Sequence, residues 1–228
     1  MSIYVISDLH LSFGADKPMN IFRGWDNYTE RLEQNWKCLV KAEDTVILGG
    51  DLSWGIKLEE SLPDFRFVSR LPGKKLLIKG NHDLYWSTVS KMKRFLSDNG
   101  IVDIDFIHNN AFAVEGLALC GTRGWFFDDD QSDKKIILRE AMRLETSILA
   151  ARKTGLEPVV FLHYPPVYGD RVCHEIFDVI KAQGIKRVYY GHIHGAGARN
   201  AVRGVYDGVE LVITSCDTIG FMPVKVSR

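Results

Sequence analysis

The sequence lacks an excess of charge of either sign. Lysine and arginine together number 29, and aspartate and glutamate also number 29. A balanced chain has no overall positive field that would gather nucleic acid or an anionic membrane surface, although a local basic patch is compatible with these numbers. We therefore expect no membrane partner and no strong affinity for nucleic acid.

Long apolar runs and paired cysteines are also missing. No stretch approaches the roughly 18 uncharged apolar residues of a transmembrane helix. Met1 is followed within two residues by an apolar segment, Ile3–Ile6, so we expect no secretory leader and a cytoplasmic location. The four cysteines are far apart and form no Cys-x-x-Cys pair: Cys38, Cys120, Cys173 and Cys216. The sequence therefore indicates neither a zinc ribbon nor a redox motif.

Short apolar runs alternate with helical periodicity along the first two thirds of the chain. The runs predict strands over residues 3–6, 45–48, 75–78, 158–162 and 187–190. Spacings of three to four predict helices after Asp26, over 84–96 and over 136–149. In the last third, Asp207-Gly208 between two apolar runs predicts a hairpin with a type I′ turn. Together these patterns favour one α/β domain over residues 1–228, with two packed mixed sheets and helices outside.

Five short segments contain side chains that commonly bind metal ions. They are Asp8-Leu9-His10, Gly50-Asp51, Gly80-Asn81-His82-Asp83, His163 and Gly191-His192-Ile193-His194. Taken singly, an Asp after a strand is usually a turn residue or a helix cap. Four segments directly follow an apolar run, however, which places them along a sheet edge.

The ligand types in these segments indicate which ions they would bind. In an extended segment, side chains two apart point the same way, so Asp8 and His10 can converge, as can His192 and His194. Mixed Asp, Asn and His ligation suits Mn, Fe or Zn, whereas calcium and magnesium favour oxygen ligands. A third acidic group, Asp128-Asp129-Asp130, is interpreted as a solvated loop before a helix.

In this order the motifs resemble those of the calcineurin-like metallophosphoesterases, whose pattern is D-x-H, G-D, G-N-H-[D/E], H and G-H-x-H. The resemblance spans Asp8 to His194 and implies a four-layer α/β/β/α sandwich of two mixed β-sheets flanked by helices. It also implies a centre of two divalent metal ions, Mn, Fe or Zn. One ion would be bound by Asp8, His10 and His194, the other by Asn81, His163 and His192, with Asp51 bridging them.

The activity implied by the resemblance is hydrolysis of a phosphomonoester or phosphodiester by a metal-bridging hydroxide. His82 would stay off the metals and face the substrate, where it could protonate the leaving group, with Asp83 as its orienting partner. The substrate would be a small phosphoester, with a nucleotide as one candidate. Arg23 or Arg123 could hold a phosphate oxygen.

Trp125 and Tyr164 lie in segments that we expect to line the substrate pocket. A base could stack on the tryptophan. The alternative is equally compatible with the sequence: the arginines would be exposed to solvent and the tryptophans would serve only in packing.

Positions at which this chain departs from particular groups within the family narrow the choice of the group that it resembles. Trp54 and Gly55 stand where Ser/Thr protein phosphatases have Asp and Arg, and Trp54 replaces the ligating tyrosine of purple acid phosphatases. The lipid-A-pathway UDP-diacylglucosamine hydrolases carry the motif Gly-Asn-Arg-Asp, whereas this chain has His82 in place of the arginine. The chain thus looks like the small stand-alone bacterial phosphoesterases.

Two alternatives stay open at this point. A non-catalytic scaffold can share the fold, although such scaffolds are expected to lack ligands that are all present here. A nuclease of the double-strand-break repair type shares the motifs. Its DNA-capping domain has no counterpart in this chain, and the balanced charge also argues against it.

Overall fold

Two mixed β-sheets pack face to face in the computed structural model of the protein, which describes residues 1–125 and 134–227. The elements in chain order are β1 (Ile3–Ile6), α1 (Tyr28–Leu39), β2 (Thr45–Leu48), α2 (Leu58–Ser69), β3 (Lys74–Leu77), α3 (Val89–Asp98), β4 (Ile104–Phe106), β5 (Ala111–Val114), β6 (Leu117–Thr122), α4 (Lys134–Arg152), β7 (Glu157–Leu162), β8 (Val167–Tyr168), β9 (Arg171–Val172), α5 (His174–Ala182), β10 (Arg187–Tyr190), β11 (Gly204–Tyr206), β12 (Val209–Ile213) and β13 (Val224–Lys225).

Both sheets consist mainly of parallel strands, with one or both edge strands antiparallel. The first has the order β13-β1-β2-β3-β4, in which only β13 runs antiparallel to its neighbour. The second has the order β11-β12-β10-β7-β6-β5, and both of its outermost strands are antiparallel. A separate two-stranded sheet pairs β8 with β9.

The layers follow from the alternation of side chains along each strand. In β1, Ile3 and Val5 pack in the core between the sheets, whereas Tyr4 and Ile6 pack against α1, α2 and α3. In the other sheet, Leu119 points into the same central core while its neighbours in β6 pack against α4 and α5. Because successive strand residues face opposite sides, buried strands of this kind need cover on both faces. The predicted four-layer sandwich is therefore confirmed.

The predicted strands agree closely with those in the structure. Three have the predicted bounds, β3 begins and ends one residue earlier, and β7 begins one residue earlier. The hairpin between β11 and β12 has φ of 43° at Asp207 and 79° at Gly208, as a type I′ turn requires. The predicted acidic loop at Asp128-Asp129-Asp130 lies outside the described residues.

The helix predicted over 84–96 is wrong in its first turn. The helix begins only at Val89, after the Thr88 hydroxyl caps the Lys91 N–H at 3.3 Å. Residues 83–86 instead form tight turns, in which Leu84 and Trp86 donate to the carbonyls of His82 and Asp83. No helix in the described ranges combines the length and apolar composition of a membrane span.

Candidate metal centre

The carboxyl ends of parallel strands from both sheets meet at the predicted site. Asp8 and His10 follow β1, Asp51 follows β2, and Asn81 follows β3 in the first sheet. His163 follows β7 in the second sheet, and His192 and His194 follow β10. The sheets are joined here, because Ser7 bridges Ser215 and donates its N–H to the Thr214 carbonyl at 2.9 Å. The site therefore spans the end of the sandwich.

The backbone at the ligand positions differs from our prediction. We expected extended segments at Asp8-Leu9-His10 and His192-Ile193-His194, but φ is 63° at Asp8, 45° at His10 and 71° at His192; it is 52° at Asp51. These values lie in the left-handed region, which non-glycine residues seldom adopt and which is enriched at functional sites. Backbone hydrogen bonds hold the conformation, since Asp8 and His10 donate to the carbonyls of Gly50 and Asp51, each at 2.9 Å.

Two glycines allow the ligand loops to approach closely. A Cβ at Gly80 would lie 2.0 Å from Oδ1 of Asp51, and one at Gly191 would lie 2.5 Å from Oδ2 of Asp8. Both distances are far below van der Waals contact. Any side chain at Gly80 or Gly191 would thus displace a ligand carboxylate.

Asp8, His10 and His194 form the first of two candidate ligand groups. Their ligand atoms all lie within 4.8 Å of one another. Nε2 of His194 is 3.4 Å from Oδ1 of Asp8 and 3.3 Å from Nε2 of His10. The structure thus brings together the residues expected to bind one ion.

The second group lies beside the first and contains Asp51, His163 and His192, again with ligand atoms within 4.8 Å of one another. Oδ1 of Asn81 is 2.7 Å from Nε2 of His163 and 2.9 Å from Nδ1 of His192. Oδ2 of Asp51 is 3.5 Å from Nε2 of His163 and 3.8 Å from Nε2 of His10. The Asp51 carboxylate therefore reaches both groups.

Hydrogen bonds to the opposite ring nitrogens orient two of the histidines. Nδ1 of His163 lies 3.1 Å from the Gly49 carbonyl, and Nδ1 of His194 lies 2.9 Å from Oδ1 of Asp217. In the neutral ring, an Nδ1–H that donates to such an acceptor fixes the tautomer and leaves the lone pair on Nε2.

Burial sets the protonation of the ligand side chains. It lowers the pKa of both His10 and His192 to about 3, so both are neutral and offer lone pairs. Burial raises the pKa of Asp51 to about 7, with Asp83 and Asp8 acting in the same direction. Burial would lower the pKa of His194, but the charges of Asp8 and Asp217 raise it to about 10.

These properties fit divalent metal ions. The centre contains carboxylates that burial disfavours as anions, and positive charge at that place would stabilise them. The donor set of carboxylate and amide oxygens with imidazole nitrogens is one that Mn, Fe and Zn accept. We conclude that the residues present can bind two such ions.

A cavity of about 450 Å³ opens beside the first ligand group and includes His82. The His82 ring lies 4.5 Å from the Trp54 ring and 5.6 Å from the His10 ring, between centroids. Its backbone N–H donates to Oδ1 of Asp51 at 2.7 Å, which fixes the residue next to the centre. Arg23 also lines this cavity, together with Met19, Phe22, Trp25 and Trp54.

The contacts of Asp83 differ from the expected contact with the His82 ring. Its carboxylate is fully buried and accepts from the N–H groups of Asp51, Leu52 and Gly80 and from the Tyr85 hydroxyl. These four donors occupy both oxygens, so Asp83 supports the ligand loops.

Arg123, Trp125 and Tyr164 do not line the cavity that contains His82. Cζ of Arg123 lies 4.6 Å from the centre of the Trp125 ring, which packs on the Tyr164 ring at 5.2 Å. Tyr164 is buried, and its ring centroid lies 4.1 Å from that of His192. These side chains therefore pack behind the second ligand group.

Sequence reasoning missed three residues at the site. Asp217 orients His194, Trp54 stacks on the His10 ring at 4.8 Å, and Met19 accepts a hydrogen bond from Trp54 Nε1 at 3.3 Å. Asp217 carried a usable pattern, because it follows the apolar strand β12 as other ligands follow theirs. Met19 carried none, since an isolated apolar residue in a loop has no periodicity. Trp54 occupies the position of the ligating tyrosine in purple acid phosphatases, but its contact with His10 was not predicted.

The family model for calcineurin-like phosphoesterase matches residues 1–196, and the chain therefore belongs to this family. The family is one of metal-dependent hydrolases, which agrees with the two ligand groups. No curated protein gave a significant match.

Solved structures with similar folds share little sequence with this chain. A Thermus thermophilus protein, TT1561, has a TM-score of 0.58 at 13% identity, covering 99% of this chain and 97% of that one. A protein of unknown function from Aquifex aeolicus has a TM-score of 0.54 at 16% identity, with 98% and 95% covered. Phosphopantetheinyl hydrolase from Mycobacterium tuberculosis has a TM-score of 0.52 at 13% identity, with 99% and 95% covered. At these identities the likeness shows the fold alone.

Proposed function

We propose that the protein hydrolyses a small phosphomonoester or phosphodiester at a centre of two divalent metal ions. The observation that carries the proposal is the position of Asp51, whose Oδ2 lies 3.8 Å from Nε2 of His10 and 3.5 Å from Nε2 of His163. One carboxylate within reach of two ligand groups is what a two-ion site requires.

The residues of each group define how the ions would be bound. Asp8, His10 and His194 would bind one ion, and Asn81, His163 and His192 the other, with Asp51 shared. When bound, the ions would supply an acidified water as nucleophile and positive charge for the phosphoryl oxygens. Mn, Fe and Zn all suit these ligands.

His82 is proposed to protonate the leaving group. Its ring borders the cavity next to the first ligand group, and the backbone bond to Asp51 fixes its distance from the centre. Burial lowers the pKa of His82, and the nearby His163 acts in the same direction. A phosphate dianion beside the imidazole acts the opposite way and favours the protonated form needed for general-acid catalysis.

The lining of the cavity supports an ester whose leaving group is planar or apolar. Trp25 and Trp54 form part of its wall, and Phe22, which is 53% exposed, presents the most accessible aromatic ring. Arg23 adds a guanidinium that can bind a phosphate oxygen in a bidentate manner. An aryl or nucleoside phosphoester matches this combination of aromatic surface and positive charge.

The test is a substrate screen of the protein loaded with Mn²⁺. Aryl phosphomonoesters, aryl phosphodiesters, cyclic nucleotides and single-stranded DNA would be compared, with Asp51→Asn as the matched inactive control. We expect turnover of at least one small ester, and its loss in the control. Bound metal without activity on any of these would instead support the scaffold, and preferential cleavage of DNA would support the nuclease.

A further inference from the structure

A second cavity, of about 240 Å³, has a strongly basic lining. We call it the basic cavity; its charged and titratable residues are Lys79, Arg123, Arg139, Arg143, Glu140 and His108. It shares no described lining residue with the cavity that contains His82. Among the described lining residues, four cationic side chains face one carboxylate, a formal excess of three positive charges.

The one carboxylate is already engaged by three of its neighbours. Glu140 is fully buried, and its Oε1 accepts from Arg143 at 2.7 Å and lies 3.6 Å from Nη2 of Arg123. Its Oε2 accepts from the Thr122 hydroxyl at 2.7 Å. Glu140 therefore holds two arginines in place and has little capacity left for Lys79 and Arg139.

The remaining positive groups have no anionic partner in the described part of the chain. Lys79 and Arg139 form neither a hydrogen bond nor an ion pair with any residue in 1–125 or 134–227, and Nε of Arg123 is buried without an acceptor there. Burial, and after it the charge of Arg143, lowers the pKa of His108, which also lines the cavity.

We propose that the basic cavity binds a phosphate group, separately from the metal centre. Arginine guanidinium groups match the oxygens of phosphate in a fork geometry, and a lysine adds a point charge. The volume of 240 Å³ corresponds to roughly eight waters at ~30 Å³ each, which admits a phosphate with part of an attached molecule. A bound anion would relieve the repulsion among the four cations.

The basic cavity is connected to the metal centre through the protein. The Arg123 carbonyl accepts from the N–H groups of His163 and Tyr164 at 3.1 and 2.9 Å. Lys79 precedes the ligand Asn81 by two residues. The two sites are therefore neighbours, but no ligand of the metal centre lines the basic cavity. The phosphate bound there is thus distinct from the one that reacts.

Lys79→Gln combined with Arg139→Gln tests the proposal without disturbing Glu140. Neither cation has a described partner, so the double variant should fold and retain its metal content. A matched control, Lys153→Gln with Lys186→Gln, removes the same charge from exposed positions elsewhere. Inorganic phosphate binding would be measured by titration calorimetry on the full chain. The same titration with metal-free protein in the Asp51→Asn background prevents phosphate binding by metal ions at the centre.

We expect the double variant to bind phosphate at least about tenfold more weakly than the control in the Asp51→Asn background. Equal affinity in the double variant and the control, or no binding in that background, would overturn the proposal. Adenosine 5′-monophosphate, used in the same comparison, distinguishes free phosphate from the phosphate group of a larger molecule. Weaker binding of both ligands by the double variant indicates the phosphate group of a larger molecule. Weaker binding of inorganic phosphate alone indicates the free ion. Activity of the metal-loaded wild type is a separate readout, so failure of the proposed reaction would not affect this result.

Discussion

The backbone N–H of Asp51 donates a hydrogen bond to Oδ2 of Asp83 at 3.0 Å, across 32 residues of sequence. The same oxygen accepts from the N–H of Gly80 at 2.7 Å, while Oδ1 accepts from Leu52 and from the Tyr85 hydroxyl, each at 2.9 Å. One buried carboxylate thereby joins the loop that carries Asp51 to the loop that carries Asn81. Burial raises the pKa of Asp83, and the hydrogen bonds from Gly80, Tyr85 and Leu52 oppose that change.

Asp83→Asn should release metal and destabilise the fold. The amide NH₂ would face backbone N–H groups and leave at least one of them unpaired, so we expect the free energy of unfolding to fall by about 2–4 kcal/mol. Metal content per chain and denaturant unfolding measure the effect. Tyr85→Phe, which removes one donor, should cost only about 0.5–1.5 kcal/mol. A variant with full metal content and low turnover would instead favour the orienting role toward His82.

The two roles considered for Asp83 show where sequence reasoning ends. Its position after Gly80-Asn81-His82 indicated that it belongs to the site, but a motif does not specify the direction of a side chain. The strands were predictable because buried parallel strands form continuous apolar runs, as in β2 and β10. The left-handed backbone at Asp8 and Asp51 was not predictable, because it depends on hydrogen bonds between loops from different strands.

The same limit applies to Arg123, which does not line the cavity that contains His82, and to Trp54, whose contact with His10 was not predicted. Arg123 directly follows β6 and was expected near the substrate from its position alone. Its direction depends on the buried Glu140 of α4, which lies 17 positions later in the chain. Trp54 is held beside His10 because its backbone N–H donates to the Leu11 carbonyl at 2.9 Å. Contacts of this kind depend on tertiary structure.

His82→Ala should lower turnover in proportion to the basicity of the leaving group. If His82 donates a proton, loss of the imidazole affects an alkyl phosphoester far more than a p-nitrophenyl ester, whose phenolate leaves without help. We expect a decrease in kcat of about 10²–10⁴-fold for the alkyl ester. The measurement is kcat for a series of esters, with metal content as the control. An equal decrease for all esters would argue that His82 only shapes the cavity.

Asp217→Asn should weaken the binding of one ion more than the other. Nδ1 of His194 lies 2.9 Å from Oδ1 of Asp217, and such contacts typically affect metal affinity by about 10–100-fold. Gly195 also donates to Oδ2 at 2.8 Å, so the substitution disturbs the loop as well. In competition with a series of chelators of increasing metal affinity, the variant should lose its first equivalent of metal to a weaker chelator than the wild type does. Release of both equivalents as in the wild type would contradict the assignment.

Gly80→Ala should disrupt the centre although it adds one methyl group. Its Cβ would lie 2.0 Å from Oδ1 and 2.2 Å from the backbone nitrogen of Asp51, and neither atom can move without breaking hydrogen bonds. We expect metal loss and a destabilisation of about 1–3 kcal/mol, typical of overpacking. Gly197→Ala is the control, because its nearest contact would be 3.4 Å. A content of close to two metal ions per chain in both variants would show that the loops can rearrange.

Asp64→Asn should stabilise the protein increasingly as the pH rises from 4 to 7. Asp64 is fully buried, its Oδ1 accepts from the Phe13 N–H at 2.8 Å, and Ser53 donates to its Oδ2. Burial raises its pKa from 3.8 to about 6. Between these values the folded state holds a proton that the unfolded state has lost, so wild-type stability falls as pH rises. The total loss is about 3 kcal/mol and is nearly complete at pH 7.

The measured quantity is the difference in unfolding free energy between Asp64→Asn and the wild type at each pH. Pairwise subtraction removes the pH dependence of the metal centre, which both proteins share. The difference should increase by up to about 3 kcal/mol between pH 4 and 7, mostly below pH 6. Asp98→Asn, at the exposed end of α3, is the matched control for the removal of a carboxylate. A constant or decreasing difference for Asp64→Asn would mean that the carboxyl group is ionised in the folded protein throughout this range.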